Sequence, residues 1–168
     1  RRAGPARPER AVSALLEVRD LNVSFETRDG PVRAVKGLSF QIAPGEVLGV
    51  VGESGSGKTQ AAMAVLGLLA DNGSVAGSIR FEGDELVGMR DARLREIRGA
   101  RIAMVFQDPM TSLNPYLTIG DQMALVLKRH RGLKGEAARN ECVELLDAVH
   151  ITEPAARLRM HPHELSGG

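Results

Sequence analysis

The residues best suited to chemistry in this 168-residue chain are Gly52-Glu53-Ser54-Gly55-Ser56-Gly57-Lys58-Thr59. Their types and spacing fit a loop that cradles phosphates. Gly52, Gly55 and Gly57 lack a Cβ, so the backbone can take positive φ and turn its N–H groups inward, with Glu53, Ser54 and Ser56 adding their amides. Lys58 can reach a β- or γ-phosphate as a point charge, and the Thr59 hydroxyl is placed to bind Mg²⁺. Each charge-assisted hydrogen bond contributes roughly 1.5–3 kcal/mol, so several together suffice to hold a nucleoside triphosphate. The plain alternative is a glycine-rich turn, which leaves the complete motif and its flanking elements unexplained.

Two elements must position that loop. Val47 to Val51 is an apolar run of strand length, and a segment rich in Ala, Leu and Met follows Lys58 as a helix whose unpaired N–H groups point at the loop. Gln107 closes a second buried-type strand, Ile102 to Phe106, and a polar side chain just past such a strand sits where ligands bind in open α/β sheets. It could carry its amide oxygen to the metal or to a water near the γ-phosphate; otherwise it is an exposed loop residue. Phe25 could stack on a base, yet Leu21, Val23 and Phe25 share one strand face, which is also a core pattern. Spacing leaves both open.

Other candidates carry less. Cys142, the only cysteine, lies at helical spacing with Ala138, Leu145, Leu146 and Val149, reads as a small buried hydrophobe, and excludes an internal disulfide. His161-Pro162-His163 lacks a third ligand and reads as loop or surface rather than metal site. His130 and His150 are isolated.

A net charge of +1 gives no footprint for nucleic acid. The basic arm, residues 1–14, has no apolar stretch of signal-peptide type and reads as a disordered leader. No apolar run approaches the roughly 18–20 residues that span a bilayer, so membrane association would come through a partner.

Along the chain, strands are expected at Leu15 to Phe25, Val32 to Val35, Leu38 to Ile42, Val47 to Val51, Gly77 to Phe81 and Ile102 to Phe106. Helices are expected after Lys58, at Asp91 to Arg98, Thr118 to Lys128, Glu136 to Val149 and Glu153 to Met160. The early strands suggest an antiparallel sheet flanking the loop's α/β core, and the helical block looks inserted.

In that order, the phosphate loop, Gln107 after a strand, the helical insert and Leu165-Ser166-Gly167-Gly168 resemble the nucleotide-binding domain of ATP-binding cassette (ABC) proteins. Phe106 to Pro115, Thr118 to Gln122 and Pro162 to Leu165 are similar to the oligopeptide/dipeptide importer ATPases. The resemblance implies an α/β P-loop NTPase core with a parallel sheet, a flanking antiparallel β subdomain and an inserted helical subdomain. It places the domain at 15–168, with 110–163 as the insert.

The resemblance also implies roles. Phe25 would stack on adenine, Gly52 to Thr59 would hold ATP and Mg²⁺, and Gln107 would contact metal and attacking water while sensing the membrane partner. Ser166, Gly167 and Gly168 would reach the ATP bound to the opposite subunit of a head-to-tail homo- or heterodimer. The parent protein would be an ATPase peripheral to the cytoplasmic face of the plasma membrane, driving peptide import through permease subunits. A soluble ABC ATPase acting on nucleic acid and an inactive nucleotide-binding fragment are the other readings. The family's acidic strand end, catalytic glutamate and switch histidine have no counterpart in these residues, so the chain reads as the N-terminal part of such an ATPase. Losing a core strand would leave an unpaired apolar edge.

Overall fold

The computed structural model describes residues 14–107 and 112–165. Expectations for the basic arm up to residue 13, for Asp108 to Thr111, and for Ser166, Gly167 and Gly168 lie outside the described residues. Two compact units, 1–98 and 99–168, are taken separately.

The first unit is built on a four-stranded antiparallel sheet in the order β2-β1-β3-β4, with β1 at Leu16–Thr27, β2 at Gly30–Ile42, β3 at Gly73–Phe81 and β4 at Asp84–Glu85. Val18, Leu21 and Val23 of β1 are buried, but strict alternation would have placed Asp20 beside Val18. A bulge resolves this. Asp20 takes φ +48, and Gly77 faces it from β3, where a Cβ would lie 2.4 Å from the Asp20 carbonyl oxygen. The two short strands expected at Val32 to Val35 and Leu38 to Ile42 are one. Gly37, at φ +61, gives its N–H to Asn22 Oδ1 at 3.1 Å, so an irregular residue is absorbed without ending the strand.

Two helices complete this unit: α1 (Lys58–Leu66) and α2 (Asp91–Ile97). Helix α1 buries Ala61, Ala64, Val65 and Leu66, then stops at Gly67. Gly67 N–H donates to Ala64 O at 3.0 Å and Leu68 N–H to Met63 O at 2.9 Å, a closure that needs the left-handed φ of +61 at Gly67.

The expected parallel sheet does not appear among the described residues. Val47 to Val51 and Ala103 to Phe106 are unpaired, and Val47, Val51 and Val105 are 94%, 94% and 88% exposed. An apolar run becomes a buried strand only when neighbours satisfy its N–H and C=O groups and cover both faces. Composition expresses that readiness, and pairing realises it.

In the second unit, α3 (Ile119–Arg131) and α4 (Gly135–Ala148) pack around Leu127, Ala138, Cys142 and Leu158. Thr118 caps α3 reciprocally with Asp121, and four basic or potentially basic residues, Lys128 to Arg131, complement the dipole at its end. Cys142 is 1% exposed, as its spacing predicts, and burial, then the Glu141 charge, pushes its thiol pKa up. The third expected helix is shorter: α5 spans Pro154–Arg157, and a separate 3-10 turn, Pro162–Glu164, starts on Pro162, whose missing N–H costs nothing at a first position.

Glu85 ties β4 to β3. Its carboxylate accepts from the Ser78 hydroxyl and from the N–H groups of Ile79 at 2.9 Å and Val87 at 3.1 Å. Burial raises its pKa, but these hydrogen bonds and the Arg80 charge outweigh that and hold it below the ordinary glutamate value. A lowered folded-state pKa stabilises fully above the unfolded pKa and is lost as pH falls through the folded one. Glu85→Gln should therefore lower stability at neutral pH by up to about 1 kcal/mol, since the carboxylate is partly exposed. Denaturation at about pH 7 and about pH 2 checks it: the deficit should vanish in acid, and an equal deficit at both would remove the charge from the account.

Candidate phosphate-binding site

The loop expected to bind phosphates is folded around its own lysine. Lys58 Nζ donates to the carbonyl oxygens of Gly52 and Glu53, both at 2.7 Å, and lies 3.3 Å from Ser56 Oγ. Ser56 N–H donates to Glu53 O at 3.2 Å, which closes the turn at Ser54-Gly55. Gly55 and Gly57 take φ +78 and +90, so two of the three glycines occupy left-handed backbone that other residues rarely tolerate.

Gly57 has a second reason to be glycine. A Cβ there would lie 2.2 Å from the carbonyl oxygen of Ala34 and 3.3 Å from Val35 Cγ2. The loop is thus pressed against β2 at one point, and only hydrogen fits between. At Gly52 a Cβ would meet Ser56 Oγ at 2.7 Å, a milder conflict because the hydroxyl can rotate away.

Helix α1 starts immediately after Gly57 with no side-chain cap and no acidic residue in its first turn. Helix α3, by contrast, satisfies its own donors through Thr118. The leading N–H groups of α1, the positive end of its dipole and the Lys58 ammonium therefore converge where, among the described residues, the ammonium meets only uncharged carbonyl and hydroxyl oxygens, a setting that favours an anion. Thr59, exposed in the first turn, adds a hydroxyl.

A cleft of about 870 Å³ opens between this loop and β2, walled by Val32, Val35, Lys36, Gly52, Ser56 and Lys58 among others. Val32 pairs directly across the sheet with Phe25, so the two side chains share a face. Phe25 is half-buried, and its ring packs over Gly73, where a Cβ would sit 2.9 Å from Cε1. The cleft thus has a cationic loop on one wall and, on the other, Val32, the cross-strand partner of Phe25. The β2 residues Val32, Ala34 and Val35 were missed by sequence reasoning. The contact of Ala34 and Val35 with Gly57 bridges more than twenty positions, and no local pattern announces it.

Gln107 lies in the other unit, exposed on a bend after the unpaired residues 103–106. Asn114 and Leu117 are anchored by Gln122: Oε1 accepts the Asn114 N–H at 2.9 Å, and Nε2 donates to the Asn114 and Leu117 carbonyls, each at 3.1 Å. His161 and His163 stack with centroids 5.6 Å apart, and His161 Nδ1 is 3.2 Å from Glu164. The His161 N–H and then its ring hold the Glu164 carboxyl below its usual range. Among the described residues no group of three or more His, Cys, Asp or Glu is placed to hold a metal.

The chain is similar to known proteins in sequence and in fold. Residues 35–168 match the family described as "ABC transporter". The oligopeptide transport ATP-binding protein OppD of Haemophilus influenzae is 53% identical over 157 residues, covering 94% of this chain and 49% of that protein. Its namesake in Salmonella typhimurium is 51% identical over 156 residues, covering 93% and 47%. The chain therefore spans about half the length of the curated relatives it matches. Among solved structures, a bacterial ABC transporter cassette described as dimeric superposes with a TM-score of 0.75 at 25% identity, covering 90% of this chain and 63% of the other.

Gly55 and Gly57 offer a matched test of the loop. Gly55→Ala meets open space and should cost only the strain of its φ, about 1–2 kcal/mol. Gly57→Ala adds the clash with Ala34 and should cost distinctly more, with loss of anion binding. Denaturant titration of both variants checks the order; equal cost would deny the close approach to β2.

Proposed function

Because this chain belongs to the ABC transporter family, we propose that it is the ATP-binding portion of a motor subunit that couples ATP hydrolysis to peptide import. The observation that carries the reading is the Lys58 clasp, set against an uncapped helix N-terminus and opening on a cleft walled by Val32, the cross-strand partner of Phe25. The curated relatives' role in oligopeptide transport supports the cargo class.

In this reading adenine stacks on Phe25, and the triphosphate lies along the amides of Gly52, Glu53, Ser54, Gly55, Ser56 and Gly57. Lys58 exchanges its carbonyl partners for β- and γ-phosphate oxygens. These carbonyls hold the ammonium poised, so little reorganisation is needed when the anion arrives. Thr59 through its hydroxyl and Gln107 through its amide oxygen would each offer an oxygen to Mg²⁺, the ligand type that ion takes. When bound, Mg²⁺ neutralises charge on the phosphate oxygens. Hydrolysis is in-line attack of water on the γ-phosphate, so the chain's contribution is positioning and charge stabilisation by Lys58 and the loop amides.

Residues 15–168 then form the nucleotide-binding domain, with 110–163 as its helical subdomain. The unpaired runs 47–51 and 103–106 have the composition of parallel strands and would each gain from a neighbouring strand. Ser166, Gly167 and Gly168 face ATP held by a second ATPase subunit in a head-to-tail dimer. No helix among the described residues is long and apolar enough to cross a membrane. In this reading coupling passes through permease subunits at the cytoplasmic face.

The test is ATP turnover by the whole protein with Lys58→Ala. Loss of one charge-assisted anchor acting in the transition state should lower turnover about a hundredfold or more. Turnover at the wild-type rate would remove Lys58, and with it the loop, from the mechanism.

A further inference from the structure

Helix α1 carries Lys58 and Thr59 at one end, and its other end is held by a residue from far along the chain. Arg98 Nε donates to the Leu66 carbonyl at 2.7 Å, and Nη2 to the Gly67 carbonyl at 2.7 Å. Its remaining nitrogen, Nη1, donates to Asp91 Oδ1 at 2.9 Å. The guanidinium thus uses all three nitrogens, one fork on the last carbonyls of α1 and one arm on the first residue of α2. Its side chain is only 22% exposed.

Several features make this a fixture rather than a passing surface contact. The backbone closure at Gly67 satisfies Ala64 and Met63 but leaves the next carbonyls to Arg98. A Cβ at Gly67 would lie 3.0 Å from Arg98 Nη2 and 3.0 Å from Leu94 Cδ1, so the glycine also makes room for the guanidinium. Arg98 N–H donates to Leu94 O at 2.9 Å, so the same residue terminates α2. Asp91, which receives the third arm, is braced on its other oxygen by Arg95. Helix α1 itself has no basic residue in its last turn, and Arg98 supplies the cation its dipole lacks.

The consequence lies at the opposite end. Nine residues make a rod about 13–14 Å long, so a tilt of about 5° about Leu66 displaces Lys58 by about 1 Å. A displacement of that size can cost a site up to about a hundredfold. Half of the buried face of α1 is alanine, Ala61 and Ala64 beside Val65 and Leu66, and the larger pair lies at the clamped end, which leaves little interdigitation near Lys58 to resist such a tilt.

We propose that Arg98 is a positioning residue for the phosphate loop, clamping the C-terminal end of α1 so that Lys58 and the loop amides stay aimed at the anion. That the anion is the triphosphate of ATP rests on the function proposed above.

The test uses the whole protein with Arg98→Ala, Arg98→Lys and, as a control on the exposed side of α2, Arg93→Ala. Amide hydrogen exchange of the nucleotide-free protein reads the clamp directly. Arg98→Ala should speed exchange about tenfold in residues 52–66 and leave the β1 and β3 amides unchanged. Arg98→Lys, which keeps the charge but loses the fork, should fall between, and Arg93→Ala should match wild type. ATP affinity should weaken about tenfold in Arg98→Ala, with partial recovery in Arg98→Lys. Unchanged exchange in residues 52–66, or acceleration spread equally over β1 and β3, overturns the positioning role. A wild-type protein that takes up no ATP defeats the nucleotide reading instead, while the exchange comparison still decides whether Arg98 holds the loop.

Discussion

The contact between Gly57 and the Ala34 carbonyl is the constraint from which the arrangement around the loop follows. With 2.2 Å available where a Cβ would stand, the chain must pass β2 as bare backbone, and it must do so at φ +90. That passage fixes where α1 begins, which way its first N–H groups face, and how far Lys58 must reach to find the Gly52 and Glu53 carbonyls. A loop so placed shares its cleft with Val32 and Val35, and through Val32 with the sheet face that bears Phe25. The antiparallel sheet is therefore part of the site rather than an ornament beside it.

The conformation of the loop was legible because it is local. Glycine at positions needing positive φ, a lysine at the helix start and a hydroxyl next to it are decided within eight residues, and the structure brings them together as their spacing demands. Helices α3 and α4 were legible for the same reason: the runs Thr118 to Lys128 and Glu136 to Val149 are local patterns, and they appear as Ile119–Arg131 and Gly135–Ala148. What could not be read is what depends on distant partners. Nothing near Ala34 signals that Gly57 will lie against it, and nothing near Arg98 signals that it closes a helix some thirty residues earlier.

The apolar runs Val47 to Val51 and Ile102 to Phe106 show the same limit from the other side. Their composition is that of central parallel strands, and the expected sheet was reasoned from composition. Yet a strand is a relation between segments, and among the described residues neither run is laid into a sheet ladder. Regions whose partners lie within the chain, β1 with β2 and β3, form fully and bury Leu21, Val23 and Ile79. The contrast separates what a segment is disposed to do from what its neighbours let it do.

The central claim is that the amides of residues 52–59 and the Lys58 ammonium enclose a triphosphate. It is tested most directly by amide chemical shifts of the isotope-labelled whole protein during titration with ATP and Mg²⁺. The account predicts saturable shifts concentrated at Gly55, Ser56, Gly57, Lys58 and Thr59, together with displacement of the Lys58 side-chain signal as its carbonyl partners are exchanged. Shifts confined to other parts of the chain, with these five amides unmoved at saturation, would contradict it.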